Sequence, residues 1–353
     1  MITKLKNIIS KKRFWIGILL VQFFLFYFLS KWNFAILIFE KLFELKKSFH
    51  QIIFYKIPFS FGDVLYIGII LIIIYLTFSL FNKNSRKKSS LQLLIFINVF
   101  YIIYQTFWGM LYFQEPLINK LPKAEININE AKTLSVKYLI SCKNLRENLN
   151  ENYEGVFYIQ NIENIEKSIL KNQKNIPLQF SNKKTTNIEN FKNSIFGSLM
   201  SYTGIFGYYN PFTSEAQYNK HLPSSYLAFT LAHESSHQLG FAREQEANFI
   251  GFLIGQNSEN KELQYSTDLF ALKSLLRYIA VEDPKFVENT LTNYSTKMKQ
   301  DRKAEKYFEE KHRGILDQIF AISNNLFLKS NQQDGSISYS YFTELLIKYE
   351  RIK

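Results

Sequence analysis

The sequence predicts an α+β protein in which N-terminal transmembrane helices precede a mostly helical domain with a small β-sheet. Apolar residues make up 47 % of the 353 residues, but the mean hydropathy is only −0.12, so the apolar residues must be concentrated in part of the chain. They are concentrated in the first third, which contains three long uncharged segments. The last third repeats apolar residues at the three- and four-residue spacing that is typical of helices.

The uncharged segments cover residues 14–30, 64–82 and 89–114. Each is close to the ~20 residues that a helix needs to cross the hydrocarbon core of a bilayer. A cleaved signal peptide is the alternative for the first segment, but no small-residue cleavage site follows Ser30. The sequence therefore predicts that residues 1–114 form a three-helix transmembrane anchor in the lipid bilayer.

Lysine and arginine residues are densest at the N-terminus and between the second and third uncharged segments. In an anchor of three spans both clusters lie on one side of the membrane, which the positive-inside rule makes the cytoplasmic side. We therefore expect a multi-pass protein of the bacterial inner (cell) membrane, with residues 115–353 outside the cytoplasm. Residues 33–45 have the pattern of an interfacial amphipathic helix, and we expect Trp108 and Tyr112 at the outer interface. The clusters consist of Lys4, Lys6, Lys11, Lys12 and Arg13, and of Lys83, Arg86, Lys87 and Lys88.

The predicted second domain, residues 115–353, mixes helix and strand patterns in its first half. Residues 127–150 predict a helix, residues 154–160 a short strand, and residues 195–209 one or two strands. Residues 161–194 are rich in Asn, Lys and Glu and predict an insertion or a mobile loop. The C-terminal part predicts helices over residues 269–280, 283–313, 315–329 and 339–352.

The most specific motif is His233-Glu-Ser-Ser-His237, an H-E-x-x-H pattern in a chain with only 5 histidines. On a helix, positions i and i+4 share a face, so both imidazoles can bind one metal ion. Glu234 lies beside the first histidine and can take a proton from zinc-bound water. The segment Pro223-Ser224-Ser225 predicts the helix start with a serine N-cap, and Gly240 predicts its end.

Catalytic zinc has three protein ligands and an open position. A second helical run over residues 242–254 supplies two acids, Glu244 and Glu246. Glu244 shares a helix face with Asn248 and with small residues that allow close packing on the first helix. We therefore expect Glu244 as the third ligand and Asn248 as a hydrogen-bond partner of a histidine. Glu246 is the alternative ligand, and we expect it to face solvent or an arginine. The small residues are Ala247, Gly251 and Gly255.

The Glu-x-x-Ala-Asn order after H-E-x-x-H resembles the glutamate helix of gluzincin metallopeptidases, although gluzincins have an aspartate where this chain has Asn248. Residues 107–112, 210–216 and 233–249 together resemble a family of bacterial membrane proteins classed as a domain of unknown function. These resemblances imply a zincin-like domain over residues 115–353 that binds Zn²⁺ through His233, His237 and Glu244. In gluzincin-like folds an edge strand before the zinc helix holds the peptide. Residues 204–209 occupy that place, and an inner strand without a substrate role is the alternative.

The function that these observations predict is a membrane-anchored zinc metallopeptidase that hydrolyses polypeptide substrates, with Glu234 as the catalytic base. One alternative is a non-catalytic membrane protein whose structural zinc is closed by His221 or Glu246 as a fourth ligand. Another is a zinc hydrolase of non-peptide substrates. The residues that could stabilise an oxyanion are Tyr208, Tyr209, His221 and Tyr278.

The net charge of +13 and the pI of 9.4 do not indicate nucleic-acid binding. No nucleic-acid-binding motif accompanies the charge, and the basic residues are spread along the chain or flank the predicted spans. Cys142 is the only cysteine, so an intrachain disulfide is excluded and a cysteine ligand to zinc is not expected.

Overall fold

The computed structural model describes residues 9–186, 188–330 and 341–353. Lys4 and Lys6 of the predicted N-terminal basic cluster lie outside the described residues, as does the start of the helix predicted over residues 339–352. The described part is mostly helical and contains one three-stranded sheet, so the predicted α+β class with a small sheet is confirmed.

From residue 9 onward, the N-terminal third contains four α-helices, α1 (Lys12–Leu29), α2 (Asn33–Phe54), α3 (Phe61–Ser79) and α4 (Arg86–Phe107). Helices α1, α3 and α4 are long and apolar enough to cross a membrane, with mean hydropathies of 1.5, 2.3 and 1.5. Little of each helix is buried within the protein, as is expected when the side chains face lipid. The three predicted apolar helices are thus present, and they indicate a membrane protein.

The third predicted span is shorter than the uncharged segment that predicted it. Helix α4 ends at Phe107, and the next residues form a 3₁₀ helix, Gly109–Phe113, most of which is buried. A second 3₁₀ helix, Leu117–Lys120, follows. Trp108 and Tyr112, which are predicted at the membrane interface, are both buried against the second domain.

Helix α2 extends the predicted amphipathic segment and connects the anchor to the rest of the protein. Its buried side includes Phe43 and Lys47, while Phe34 and Leu45 on the other side are 75 % and 70 % exposed. The ammonium group of Lys46 donates a hydrogen bond to the Pro211 carbonyl at 2.6 Å, and Lys47 donates to a carbonyl of residue 184 at 2.8 Å. Buried lysines bonded to distant carbonyls fix α2 on the second domain.

The rest of the chain has ten further α-helices among the described residues, and polar side chains cap several of them. Asn127 forms a capping box with Glu130, and Asp283 caps a helix that has Pro284 in its first turn. The helices are α5 (Ile128–Arg146), α6 (Ile162–Asn172), α7 (Gly197–Thr203), α8 (Ser224–Gln238), α9 (Glu244–Gln256), α10 (Lys261–Ile279), α11 (Pro284–Thr292), α12 (Thr296–His312), α13 (Ile315–Ser330) and α14 (Tyr341–Glu350).

The sheet consists of β1 (Phe191–Asn193), β2 (Gly207–Asn210) and β3 (Glu215–Tyr218), in the order β1-β3-β2. Strand β1 runs parallel to β3, and β2 runs antiparallel to it with Gly207 opposite Tyr218. Strand β2 is therefore an edge strand. One side of α8 contacts β2 and β3, and the other side contacts α9 and α10, so α8 lies in the interior of the domain.

Four sequence predictions for the second domain differ from the structure, wholly or in part. Residues 154–160 form no strand, because Phe157 is buried and its backbone N–H donates to the Asp301 carboxylate at 2.8 Å. Residues 195–209 contain helix α7 before strand β2. Residues 161–194, predicted as an insertion or mobile loop, contain α6 and β1, and α6 buries Ile165 and Ile169 beneath its polar residues. The pattern over 283–313 likewise predicted one helix where the structure has α11 and α12.

Candidate metal centre

The H-E-x-x-H motif lies in α8, which is buried over most of its length. The predicted serine N-cap is wrong, because Pro223 occupies the N-cap position and the Ser224 hydroxyl accepts a hydrogen bond from the Ile159 N–H at 3.1 Å. The predicted helix end is correct, since Gly240 follows α8 with a φ of +91°. A side chain at Gly240 would meet the ring of Phe43, so the turn requires glycine for both conformation and space.

Helix α9 packs closely on α8, as the small residues on its predicted face require. A Cβ atom at Gly251 would lie 3.1 Å from the backbone nitrogen of His233, so a larger residue would force the helices apart. Gly255 was predicted on the same face, but it packs against Thr267 of α10 instead. The predicted face of α9 therefore contacts α8 only in the first turns of the helix.

The structure brings His233, His237 and Glu244 together. The Glu244 carboxylate lies 3.3 Å from His233 Nε2 and 3.6 Å from His237 Nε2, and the donor atoms of the three residues all lie within 4.8 Å of one another. Two ligand atoms that are each ~2.0–2.1 Å from a tetrahedral zinc ion lie ~3.3 Å apart. The donor types therefore suit a zinc ion, and the two distances from Glu244 are close to this spacing.

Both histidines are oriented through their other ring nitrogen. His233 Nδ1 lies 2.8 Å from Asn248 Oδ1, and His237 Nδ1 lies 2.6 Å from the Phe241 carbonyl oxygen. Amide and carbonyl oxygens accept hydrogen bonds, so each Nδ1 donates, and Nε2 is the ring nitrogen that would bind a metal after releasing any proton it carries. Asn248 thus makes the histidine contact that its position in the sequence predicts.

Glu234 is almost completely buried, and its Oε2 atom has no hydrogen-bond partner within the described part of the chain. The start of β2 lies directly against it, because a Cβ atom at Gly207 would be 2.8 Å from Glu234 Cγ and Oε1. Burial raises the pKa of Glu234 to about 8; the charge of His233 opposes this rise and that of Glu244 adds to it. A buried carboxylate without a partner is available to exchange protons with a bound molecule.

The surroundings of the two histidines shift their pKa values in opposite directions. Burial alone lowers the pKa of His233, but its hydrogen bond to Glu244 and the nearby carboxylates outweigh this and raise it to about 9. Burial dominates at His237 and lowers its pKa to about 4. Burial would raise the pKa of Glu244, but the hydrogen bond from His233 and the charges of both histidines lower it.

Glu246 lies away from the histidines. Its carboxylate accepts a hydrogen bond from the Leu117 N–H at 2.9 Å and pairs with the Arg243 guanidinium at 3.0 Å. Glu246 therefore faces an arginine, which is one of the two orientations predicted for it. It does not face solvent, the other predicted orientation, because it is only 5 % exposed. Arg243 also donates to the Gln114 carbonyl at 2.6 Å, so this pair joins α9 to the segment after α4.

A family model described as "Protein of unknown function (DUF3810)" matches residues 38–347. The chain belongs to the DUF3810 family. No curated protein and no solved structure matches it. The resemblance to a bacterial membrane family classed as a domain of unknown function is consistent with this assignment, and the matched range includes α3, α4 and the residues of the metal centre.

In this DUF3810 chain an aromatic wall covers one side of the metal centre. The Trp108 ring stands edge-on to the His237 ring, with centroids 5.7 Å apart and planes at 75°. Tyr209 of β2 and Phe43 of α2 pack on Trp108 with centroids at 4.8 Å and 6.0 Å. The sequence analysis missed this role of Trp108 and Phe43. The uncharged segment 89–114 is longer than one membrane span needs, and this excess length could have indicated that its last residues pack against the rest of the protein.

The other candidate residues of this DUF3810 chain lie apart from the donor group. His221 is exposed, and its N–H donates to Asn219 at 2.9 Å. The Tyr208 hydroxyl donates to the Asp63 carboxylate, and the Tyr209 hydroxyl lies 3.2 Å from Ser214 Oγ. Tyr278 packs against the main apolar core. Within residues 9–186, 188–330 and 341–353, the group of possible metal donors consists of His233, His237 and Glu244.

Proposed function

We propose that this DUF3810 chain is a membrane-anchored zinc-dependent metallopeptidase with a gluzincin-like centre. One observation carries the proposal: His233 Nε2, His237 Nε2 and the Glu244 carboxylate converge within 4.8 Å beside the buried carboxylate of Glu234. Two neutral imidazoles, one carboxylate and an adjacent acid are the residue types of a catalytic zinc site.

Zinc bound by these residues would supply a Lewis acid that polarises a carbonyl group and lowers the pKa of water. The Glu234 carboxylate takes a proton from the attacking water and then donates it to the leaving amine. Asn248 and the Phe241 carbonyl hold the two imidazoles in position during these transfers.

Strand β2 favours a polypeptide substrate over a non-peptide one. It is an edge strand, and an extended peptide can add to such an edge by backbone hydrogen bonds. It also begins at Gly207, directly against Glu234, so a peptide paired along β2 would pass the proposed base. Tyr208 and Tyr209 are fixed through Asp63 and Trp108, which keeps the strand rigid.

The alternative of a closed structural zinc site needs a fourth protein ligand. Glu246 is engaged by Leu117 and Arg243, and His221 is exposed outside the donor group. Three ligands leave one coordination position for water and substrate, which favours a catalytic role over a structural one.

We propose that the metal centre lies outside the cytoplasm, at the inner membrane of a bacterium. The basic residues before α1 and those between α3 and α4 place the opposite ends of these helices outside. Asp63 at the start of α3 and Trp108 after α4 both contact the second domain, so the domain lies at that outer end. Alkaline phosphatase fused after Lys353 should be active. Fluorescence of a reporter that folds only in the cytosol would contradict this topology.

The proposed reaction is tested with Glu234→Gln in the purified full-length protein. Both proteins should contain about one zinc per chain. The wild type should cleave a denatured protein in a phenanthroline-sensitive manner, and the variant should lose ~10²–10⁴-fold of that activity because it cannot accept a proton. The matched control is Glu259→Gln at a surface acid, which should change neither quantity.

Full cleavage activity in Glu234→Gln would show that Glu234 is not the base. Stoichiometric zinc without peptide cleavage in the wild type would favour the structural alternative. Hydrolysis of small esters or amides without any cleavage of proteins would favour the non-peptide alternative.

A further inference from the structure

We propose that α7 and α13 form a second membrane contact, in which an apolar patch of the second domain lies in the interfacial region of the bilayer beside α3. We call this surface the α7–α13 patch. Its contact with the bilayer requires only the membrane anchor, and neither zinc binding nor hydrolysis. Its members are Ile195, Leu199, Tyr202, Ile315, Ile319, Ile322 and Leu326.

The first observation is a continuous exposed stripe on α13. Ile315, Ile319, Ile322 and Leu326 recur at three- and four-residue steps, so they share one face, and they are 75 %, 56 %, 63 % and 62 % exposed. Leu328 on the opposite face is buried. Helix α13 is thus fixed to the domain by one face while an apolar stripe on the other has no cover among the described residues.

The second observation is that the stripe continues onto α7. Helix α13 packs on α7, and α7 itself exposes Leu199 and Tyr202, with Ile195 exposed just before it. A contiguous apolar surface of this kind marks an interaction site, whereas a single exposed apolar residue requires no explanation. Leu178 and Val281 are such single residues elsewhere in the second domain.

The third observation is the position of the patch next to a candidate membrane span. The Ile195 N–H donates to the Asp63 carboxylate at 2.7 Å, and the Ser194 hydroxyl donates to the same oxygen at 3.0 Å. Asp63 lies in the first turn of α3, whose 19 residues match the ~30 Å hydrocarbon core. The patch therefore begins at the depth where the polar headgroups meet the hydrocarbon.

These observations select the bilayer as the occupant. The lipid-facing surface of α3 and the α7–α13 patch are joined at Asp63, so lipid that surrounds α3 reaches the patch. Helix α13 carries only two charged residues, Asp317 and Lys329, and an amphipathic helix in this setting lies in the membrane plane with its apolar face ~5–10 Å deep. Asp317 also lies against Gly204, three residues before β2, so the contact fixes one end of the edge strand near the membrane surface.

The test places an environment-sensitive fluorophore on single cysteines introduced as Ile319→Cys and Ile322→Cys in the full-length protein, reconstituted in phospholipid vesicles. Cys142 is completely buried, so the wild-type protein measures the labelling background. The matched controls are Leu178→Cys and Val281→Cys, which replace isolated exposed apolar residues.

Both α13 labels should show blue-shifted emission, and a lipid with a nitroxide near its headgroup should quench them more than one with a nitroxide near the end of the acyl chain. The control labels should emit as in water and resist both quenchers. Water-like emission without lipid quenching at both α13 positions would overturn the proposal. Disulfide linkage of two chains through Ile319→Cys, without lipid quenching, would also overturn it and assign the patch to a second copy of the chain.

Discussion

The α8–α9 hairpin contains His237, and the aromatic wall of Phe43, Trp108 and Tyr209 packs on it. The two structures form in different ways. The three proposed ligands lie within residues 233–244, and two helix faces and one turn bring them together. The wall comes from Phe43 and Trp108, more than a hundred residues earlier in the chain. Local helix geometry is therefore enough to place the donors, whereas only the packing of distant segments brings the wall against His237.

The turn between the two helices shows the same dependence. The Gln114 amide donates to the Gly240 carbonyl at 2.9 Å, and the Lys183 ammonium donates to the Gln114 side-chain oxygen at 2.7 Å. This turn also contains Phe241, whose carbonyl orients His237. The segment after α4 thus supports one histidine of the metal centre through the backbone.

The largest expected change in zinc binding follows from removing Glu244, the acid of the α8–α9 hairpin that lies next to both histidines. Glu244→Ala should lose zinc during dialysis against a weak chelator, because two imidazoles alone make an incomplete site. Glu246→Ala is the matched control. It should retain about one zinc per chain but unfold at a lower temperature, since it leaves Arg243 and the Leu117 N–H without their partner. Zinc content and thermal unfolding measure the two effects. Loss of zinc in Glu246→Ala together with retention in Glu244→Ala would reverse the ligand assignment.

A smaller change in zinc binding is expected at Asn248, which lies in the α8–α9 hairpin and contacts the proposed ligand His233. Asn248→Ala should weaken zinc binding by ~10–100-fold, because His233 loses the acceptor that fixes its ring and tautomer. Asn248→Asp is the conservative comparison. A carboxylate also accepts the Nδ1 hydrogen bond, so this variant should bind zinc at least as tightly as the wild type. Chelator competition gives the affinities, and equal weakening by Ala and Asp would show that the hydrogen bond is not what Asn248 contributes.

The smallest effect on zinc is expected from the aromatic wall. Trp108→Ala should lower the free energy of unfolding by ~3–5 kcal/mol, because a large buried ring is removed. Zinc affinity should fall by less than tenfold, since the Phe241 carbonyl still orients His237. Trp108→Phe should retain most of the stability. If Trp108→Ala weakened zinc binding more than Asn248→Ala, the wall rather than the hairpin would control the metal centre.

The sequence predictions were accurate where local interactions determine the structure and inaccurate where contacts between distant residues determine it. Asn248 and Gly251 were placed correctly because helical periodicity fixes their common face. Residues 154–160 and 161–194 were misassigned because tertiary contacts determine their conformation. Phe157 is held by Asp301, which lies far along the chain, and the buried isoleucines of α6 were hidden by a polar composition.

The sequence by itself determined the three apolar helices, the α+β class and the common face of His233 and His237, and it favoured Glu244 over Glu246 as their neighbour. These features follow from hydrophobic length and from the 3.6-residue period of a helix, which act over a few turns. Only the tertiary structure decided that Trp108 packs on His237, that β2 begins against Glu234, and that α13 exposes an apolar stripe. Such contacts join residues that are distant in the chain, and no local pattern specifies which distant surfaces meet.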